Sequence, residues 1–289
     1  MPEPGTAISI REVGPRDGLQ PEAPLEVATR LVLIEELAGC GISDMEVAAF
    51  VSERAVPAMA GAAELVAALP ADSGCTWWAL VPNTTGAERA VRAGIDHVSV
   101  TVSCSEEYSR RNVAMSVAES AAQAVAICSI VGSVDVVLSC AFGSPYEGVI
   151  EPDAVAELAA RVTAAGASVT LADTTGVATP SRVRAVLAVT GNGVGLHLHD
   201  TRGTALLNAY TALELGVTRF DTSVGGLGGS PFATGAGGNL ATEDLVYVLD
   251  DLGLPSGVDL GRLIAVNKHL SGWLGRPLAS RLAEAGPAG

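Results

Sequence analysis

The chain has 289 residues, 48% of them hydrophobic but only 4% aromatic, so a sizeable core must be packed from Ala, Val, Leu and Ile rather than from rings. Its 32 acidic residues against 17 basic ones give a formal net charge of -15, which repels polyanions and argues against nucleic acid or an anionic membrane as a partner. The start, Met1-Pro2-Glu3-Pro4-Gly5, lacks a basic segment with an apolar run behind it, no stretch reaches transmembrane length, and the five scattered cysteines form no Cys-x-x-Cys, so the expectation is a reduced, cytoplasmic protein.

Taken in chain order, β-rich runs recur at Ile8 to Val13, Asp44 to Phe50, Thr76 to Val81, His97 to Ser103, Val134 to Ala141, Ser168 to Asp173, Val194 to His199 and Arg219 to Val224. Ala-rich segments with helical spacing lie between them, such as Val27, Leu31, Ile34 and Ala38, or Leu206, Tyr210 and Leu213. Most of these helices end on a glycine followed directly by the next strand, as at Gly39-Cys40-Gly41-Ile42, Ala93-Gly94-Ile95, Ala165-Gly166-Ala167 and Leu215-Gly216-Val217. Eight repeated βα units without a composition shift predict one (β/α)8 TIM-barrel domain over residues 8–253. A doubly wound open sheet is the alternative, but the turn after the first strand is Gly14-Pro15-Arg16-Asp17-Gly18, not a dinucleotide fingerprint. Beyond Gly253, Val258 to Trp273 and Pro277 to Leu282 predict a C-terminal helical extension, over about residues 258–285, that covers the barrel or makes a homodimer contact.

A barrel of this kind builds its site at the carboxyl ends of the strands. Arg16 and Asp17 follow the first strand, Glu46 lies in the second, Asp173 ends the sixth, His197 and His199 end the seventh, and Asn239 follows the eighth. In Leu196-His197-Leu198-His199 the strand period sends both imidazoles to one face. Taken singly, each residue has an ordinary structural explanation; together they converge on one rim. Two imidazoles, a carboxylate and an amide oxygen without thiolate suit Mg²⁺, Mn²⁺ or Co²⁺ rather than structural zinc, and an iron(II) oxygenase would use a similar set.

Gly225 to Gly238 has seven glycines in fourteen residues with neither a P-loop lysine nor a dinucleotide spacing, and is expected to be a lid over the mouth. The helix behind it should start with Thr242 as N-cap and with Glu243 and Asp244 in its first turn.

With these residues assembled, the chain resembles the 3-hydroxy-3-methylglutaryl-CoA lyase family of metal-dependent barrel lyases and Claisen-type enzymes, from about Ile10 to Leu274. The stretches that carry the likeness are Glu12-Val13-Gly14-Pro15-Arg16-Asp17-Gly18-Leu19-Gln20, Phe50-Val51-Ser52, Ser139-Cys140-Ala141-Phe142-Gly143-Ser144-Pro145-Tyr146-Glu147-Gly148, His197-Leu198-His199-Asp200-Thr201 and Gly238-Asn239-Leu240-Ala241-Thr242-Glu243-Asp244-Leu245. The resemblance implies a divalent cation, Mg²⁺ or Mn²⁺, held by Asp17, His197, His199 and Asn239. It implies that Arg16 stabilises a developing enolate while Glu46 and Asp173 position substrate and handle protons, in a retro-Claisen cleavage of a 3-hydroxyacyl-CoA to acetyl-CoA and a ketoacid. Arg110 and Arg111 are the best local cations for the CoA phosphates on this acidic chain.

One departure from the family pattern falls on the lid, where a catalytic cysteine is usual and Ser230 stands here. A thiol of pKa about 8.5 shares a proton near neutrality, whereas an alkyl hydroxyl does not without strong activation. Base duty would then pass to Glu46, Asp173 or a metal-bound hydroxide. The substitution favours a substrate such as citramalyl-CoA, a condensing enzyme, or a weakened barrel that only binds metal and CoA. Arg202, where tyrosine is common, and Ser144, where cysteine is frequent, are smaller differences, and Arg202 could grip a substrate carboxylate.

Overall fold

The structure, a computed structural model, describes residues 1–229 and 238–286. The eight expected runs are the strands β1 (Ser9–Glu12), β2 (Asp44–Ala49), β3 (Thr76–Leu80), β4 (His97–Ser103), β5 (Ser133–Ser139), β6 (Ser168–Ala172), β7 (Gly195–His197) and β8 (Arg219–Thr222), their ends shifted by at most two residues. All are parallel and pair in sequence order, and β8 returns to β1 with Ser9 beside Arg219 and Glu12 beside Thr222, closing the barrel.

The outer layer is made by α1 (Val27–Gly39), α2 (Ala62–Ala67), α3 (Thr84–Ala93), α4 (Glu106–Val113), α5 (Val117–Ile127), α6 (Pro152–Thr163), α7 (Pro180–Thr190), α8 (Ala205–Glu214) and α9 (Thr242–Asp251). Each buries a helical stripe; on α1 it is Leu33, Ile34 and Leu37, all fully buried. The expected glycine stops hold: Gly94 closes α3 at φ +98 and Gly216 follows α8 at φ +89, conformations in which a Cβ would be strained. Against α1 and α9 packs α10 (Leu260–Leu274), and α11 (Arg281–Ala285) packs on α9 and α10. The second is shorter than the sequence suggests, because Ser280 caps it by accepting from the Ala283 amide and the chain from Pro277 to Ala279 is not helical.

The barrel interior departs from the usual layers of branched aliphatics. Arg11 on β1 bonds Asp135 on β5, strands on opposite sides of the closed ring, so the contact can only cross the interior. On β2 the register with β3 shifts between Glu46 and Ala48, a local irregularity that re-aims the strand where Glu46 sits.

Thr242 is not the N-cap of α9. Ala241 occupies that position, and the Thr242 hydroxyl is buried, donating to Glu12 and bonded to Thr222. The motif position is filled as expected, but tertiary partners claim the side chain. Ser230, the centre of the expected lid, lies outside the described residues.

Candidate metal centre and active site

After β1 the chain makes one wide helical turn, Gly14–Gly18, in which the Asp17 and Gly18 amides both donate to the Val13 carbonyl. Pro15 near its start costs no helical hydrogen bond. The turn places Arg16 and Asp17 side by side on the rim, with Arg16 Nη1 donating to Asp17 Oδ1 at 2.8 Å. Arg16 Nε donates to Glu46 Oε2, and Ser99 Oγ on β4 donates to the other oxygen of Glu46.

β7 ends at His197, and His199 lies two residues on, in an isolated bridge with Asn239. The two rings are 5.1 Å apart. Ligand atoms of Asp17, His197 and His199 all fall within 4.8 Å of one another. His197 Nδ1 lies 3.2 Å from Asp221 Oδ2, and His199 Nδ1 lies 3.0 Å from the Asp173 carbonyl. Both partners can only accept, so each Nδ1 carries the proton and each Nε2 presents a lone pair. Asn239 Nδ2 donates to Asp17 Oδ2 and to the Leu227 carbonyl, while its Oδ1 is buried with no hydrogen-bond partner among the described residues. Two neutral imidazoles, an ionised carboxylate and an orphaned amide oxygen are the donor chemistry that a hard or borderline divalent cation needs.

The electrostatics of Asp17 and His199 run the same way, whereas His197 is biased toward a proton that a cation would displace. Burial opposes ionisation of Asp17, but Arg16 and then the two histidines and the Asn239 amide outweigh it and hold the carboxyl below its ordinary value. Burial, helped by the neighbouring His197, pushes His199 down to about 4. His197 is also disfavoured as a cation by burial, yet Asp221 and Asp17 raise it above its ordinary value.

A cavity of about 500 Å³ opens onto Arg16, Asp17, Glu46, His197 and His199, with an apolar wall from the segments after β2 and β3. A second cavity, about 470 Å³, lies among α8, α9 and α11 and meets only Asn239 of the candidate ligands. The first is the one where cation, carboxylates and imidazoles converge.

The remaining expected residues are placed differently. Asp173 ends β6 on the rim, but its carboxylate accepts from the Val177 and Ala178 amides, and burial pushes it up to about 6 against those bonds. Arg202 is exposed and its Nη1 donates to the Thr175 and Gly176 carbonyls. Arg110 and Arg111 are exposed on α4 and each pairs with a glutamate one turn back, Glu106 and Glu107. Ser144 is buried among Ser105 and Glu147.

Three interior residues escaped the sequence reading. Asp221, Arg11 and Asp135 sit inside strands, and their signal was a charge within a β-rich run, plainest in Val134-Asp135-Val136, where both neighbours are apolar. Glu12, quoted for its motif alone, is fully buried and accepts from the Gly14 and Val224 amides and the Thr242 hydroxyl, tying the loops after β1 and β8 together.

Comparison with known proteins points to one family. Residues 7–270 match the HMGL-like family. The chain is 42% identical over 286 residues to a hydroxymethylglutaryl-CoA lyase of Pseudomonas mevalonii, covering 95% of each chain. It is 40% identical to an (R)-citramalyl-CoA lyase of Chloroflexus aurantiacus, over 97% of this chain and 95% of that one. Among solved structures, an HMG-CoA lyase from Acinetobacter baumannii in complex with coenzyme A and 3-methylmalate superposes with a TM-score of 0.92 at 35% identity, over 97% of this chain and 95% of that one.

Proposed function

The chain belongs to the HMGL-like family, and from that premise we propose that it is a metal-dependent carbon–carbon lyase acting on a 3-hydroxyacyl-CoA of the 3-hydroxy-3-methylglutaryl type. The products are acetyl-CoA and a ketoacid, formed by retro-Claisen cleavage. The observation that carries this reading is the cluster of Asp17, His197 and His199 beside the unpartnered Asn239 oxygen, at the mouth of the cavity.

Those four residues hold the ion, and their oxygen and nitrogen donors favour Mg²⁺ or Mn²⁺. When bound, the cation supplies Lewis-acid polarisation of the substrate's hydroxyl and neighbouring carbonyl oxygens. Glu46 lines the cavity and is the carboxylate placed to take the hydroxyl proton, whereas Asp173 shapes its loop and positions His199 through its carbonyl. As the C2–C3 bond breaks, negative charge develops on the thioester oxygen. Arg16, held by Asp17 and Glu46, offers a fixed guanidinium to that charge with no reorganisation at the moment of reaction, and return of the proton taken by Glu46 to C2 of the enolate completes acetyl-CoA. Ser230 takes the place of the family's lid cysteine, and Arg110 and Arg111 are the cations for the CoA phosphates.

A second substrate, citramalyl-CoA, is favoured by two observations. Ser230 departs from the lyase pattern, and the chain is about as similar to a citramalyl-CoA lyase as to a hydroxymethylglutaryl-CoA lyase. Purified protein incubated with Mg²⁺ or Mn²⁺ and each thioester, with acetyl-CoA measured by chromatography, decides between the two. Release from neither substrate defeats the lyase reading.

The chain is read as one barrel domain whose C-terminal helices form an extension and a homodimer contact, to be tested by light scattering. No described helix is long and apolar enough to cross a membrane. The five cysteines are unpaired, which supports a cytoplasmic location.

A further inference from the structure

The register of the sheet sets Arg11 on β1 directly opposite Asp221 on β8, and Asp221 directly opposite His197 on β7. Three neighbouring strands therefore carry three polar side chains in one row across the sheet. Arg11 grips Asp221 with its fork, Nε donating to Oδ1 at 2.9 Å and Nη2 to Oδ2 at 2.8 Å. The same Oδ2 faces His197 Nδ1 at 3.2 Å. From across the barrel Asp135 Oδ2 accepts from Arg11 Nη2 at 2.8 Å, and Asp135 is itself fixed by the Ser168 and Thr170 hydroxyls. The Arg11 guanidinium also lies 5.0 Å from the centre of the Trp78 ring. Arg11, Asp135 and Asp221 are all at least nine-tenths buried.

We propose that Arg11 is a positioning residue for the metal centre, locking the Asp221 carboxylate so that His197 is held as an Nε2 ligand. The inference rests on the metal-site reading given above. A lone buried carboxylate beside His197 would be free to rotate, and rotation removes the acceptor that fixes the imidazole. The bidentate guanidinium prevents this, because two parallel hydrogen bonds define the carboxylate plane. Asp135 and Trp78 in turn fix Arg11, so the orientation of a ligand on the rim is set from the middle of the barrel.

The test measures Mn²⁺ affinity by electron paramagnetic resonance of the free ion, with thermal melts by circular dichroism, for the wild type, Arg11→Lys, Asp221→Asn and Asp135→Asn. Arg11→Lys keeps the charge and removes the fork; Asp221→Asn removes the carboxylate that faces His197. Both are expected to bind Mn²⁺ about 10- to 100-fold more weakly while remaining folded. Asp135→Asn, whose amide oxygen can still accept from Arg11 and which leaves the fork on Asp221 intact, is expected to lower the melting temperature while its Mn²⁺ affinity stays within about threefold of the wild type. If Arg11→Lys does not fold, the double variant Arg11→Gln with Asp135→Asn, which removes one charge of each sign, carries the same expectation as Arg11→Lys. Wild-type affinity in Arg11→Lys, or in the double variant that replaces it, overturns the proposal and leaves the metal site standing. A wild type that takes up no Mn²⁺ overturns both.

Discussion

Asn239 Nδ2 donates to Asp17 Oδ2 at 2.8 Å, joining positions 222 residues apart, and the oxygen of the same amide is buried with no partner among the described residues. Leaving a buried acceptor unsatisfied costs about 1–3 kcal/mol, which a bound cation would relieve. Asn239→Ala is expected to weaken Mn²⁺ binding by at least about tenfold, and Asp17→Asn, which removes the only carboxylate of the cluster, by more. Isothermal titration calorimetry reads both. Unchanged affinity in Asn239→Ala would remove the amide from the ligand set.

Gly228 packs against this pair at φ +114. A Cβ there would collide with Asn239 Nδ2 and lie 3.1 Å from Asp17 Oδ2. Gly228→Ala is therefore expected to displace the Asn239 amide and lower metal affinity while the barrel melts within a few degrees of the wild type. A variant that binds metal normally would show that the loop yields without moving the ligands.

Arg16 reaches both Asp17 and Glu46 and is the fixed cation at the cavity. Arg16→Gln should lower kcat by about 100- to 1000-fold, with a much smaller change in KM, as loss of a group that meets charge only in the transition state does. A change confined to KM would reassign Arg16 to ground-state binding.

For Ser230→Cys the expected result is a gain in cleavage of 3-hydroxy-3-methylglutaryl-CoA, because a thiol near pKa 8.5, on the order of that of free cysteine, shuttles a proton that an alkyl hydroxyl cannot. Native activity on citramalyl-CoA that the variant does not improve would assign the serine to a diverged substrate. Activity present only in the cysteine variant would mark the native chain as catalytically weakened.

Glu12 and Glu243 are each pushed up by burial from 4.5 to about 7. A carboxyl raised in this way binds its proton more tightly in the folded state. Its contribution to stability is complete below about 4.5 and is lost as pH rises through about 7. The melting temperature should therefore fall between about pH 5 and pH 8, by on the order of 5 °C. Glu12→Gln, a neutral group of the same shape that can still accept from the Gly14 and Val224 amides, should flatten that fall. An equal slope in the variant would mean that Glu12 is ionised throughout the range and is stabilised by its three donors.

The eight strands and the glycine stops of the helices were legible in the sequence because they follow from local physics: apolar periodicity over a few residues, and a positive φ that only a residue without a Cβ takes easily. The types of the ligand residues were legible too, since the spacing in His197-Leu198-His199 and the position of Asp17 after a strand are local facts. Residues whose partners lie far along the chain could not be read this way. Arg11 meets Asp221 across 210 positions and Asp135 across 124, and an isolated charge in a strand carries no sign of whether it faces water or another charge. Thr242 looked like a helix cap because the sequence shows only its neighbours, whereas barrel closure brings Glu12 and Thr222 to its hydroxyl. The sequence by itself thus determined the βα repeat and the donor atoms available to a metal. Only the closed barrel decided which imidazole nitrogen is left free of a proton, because that depends on which acceptor stands behind each ring, and Asp221 and the Asp173 carbonyl reach those places through the register of neighbouring strands.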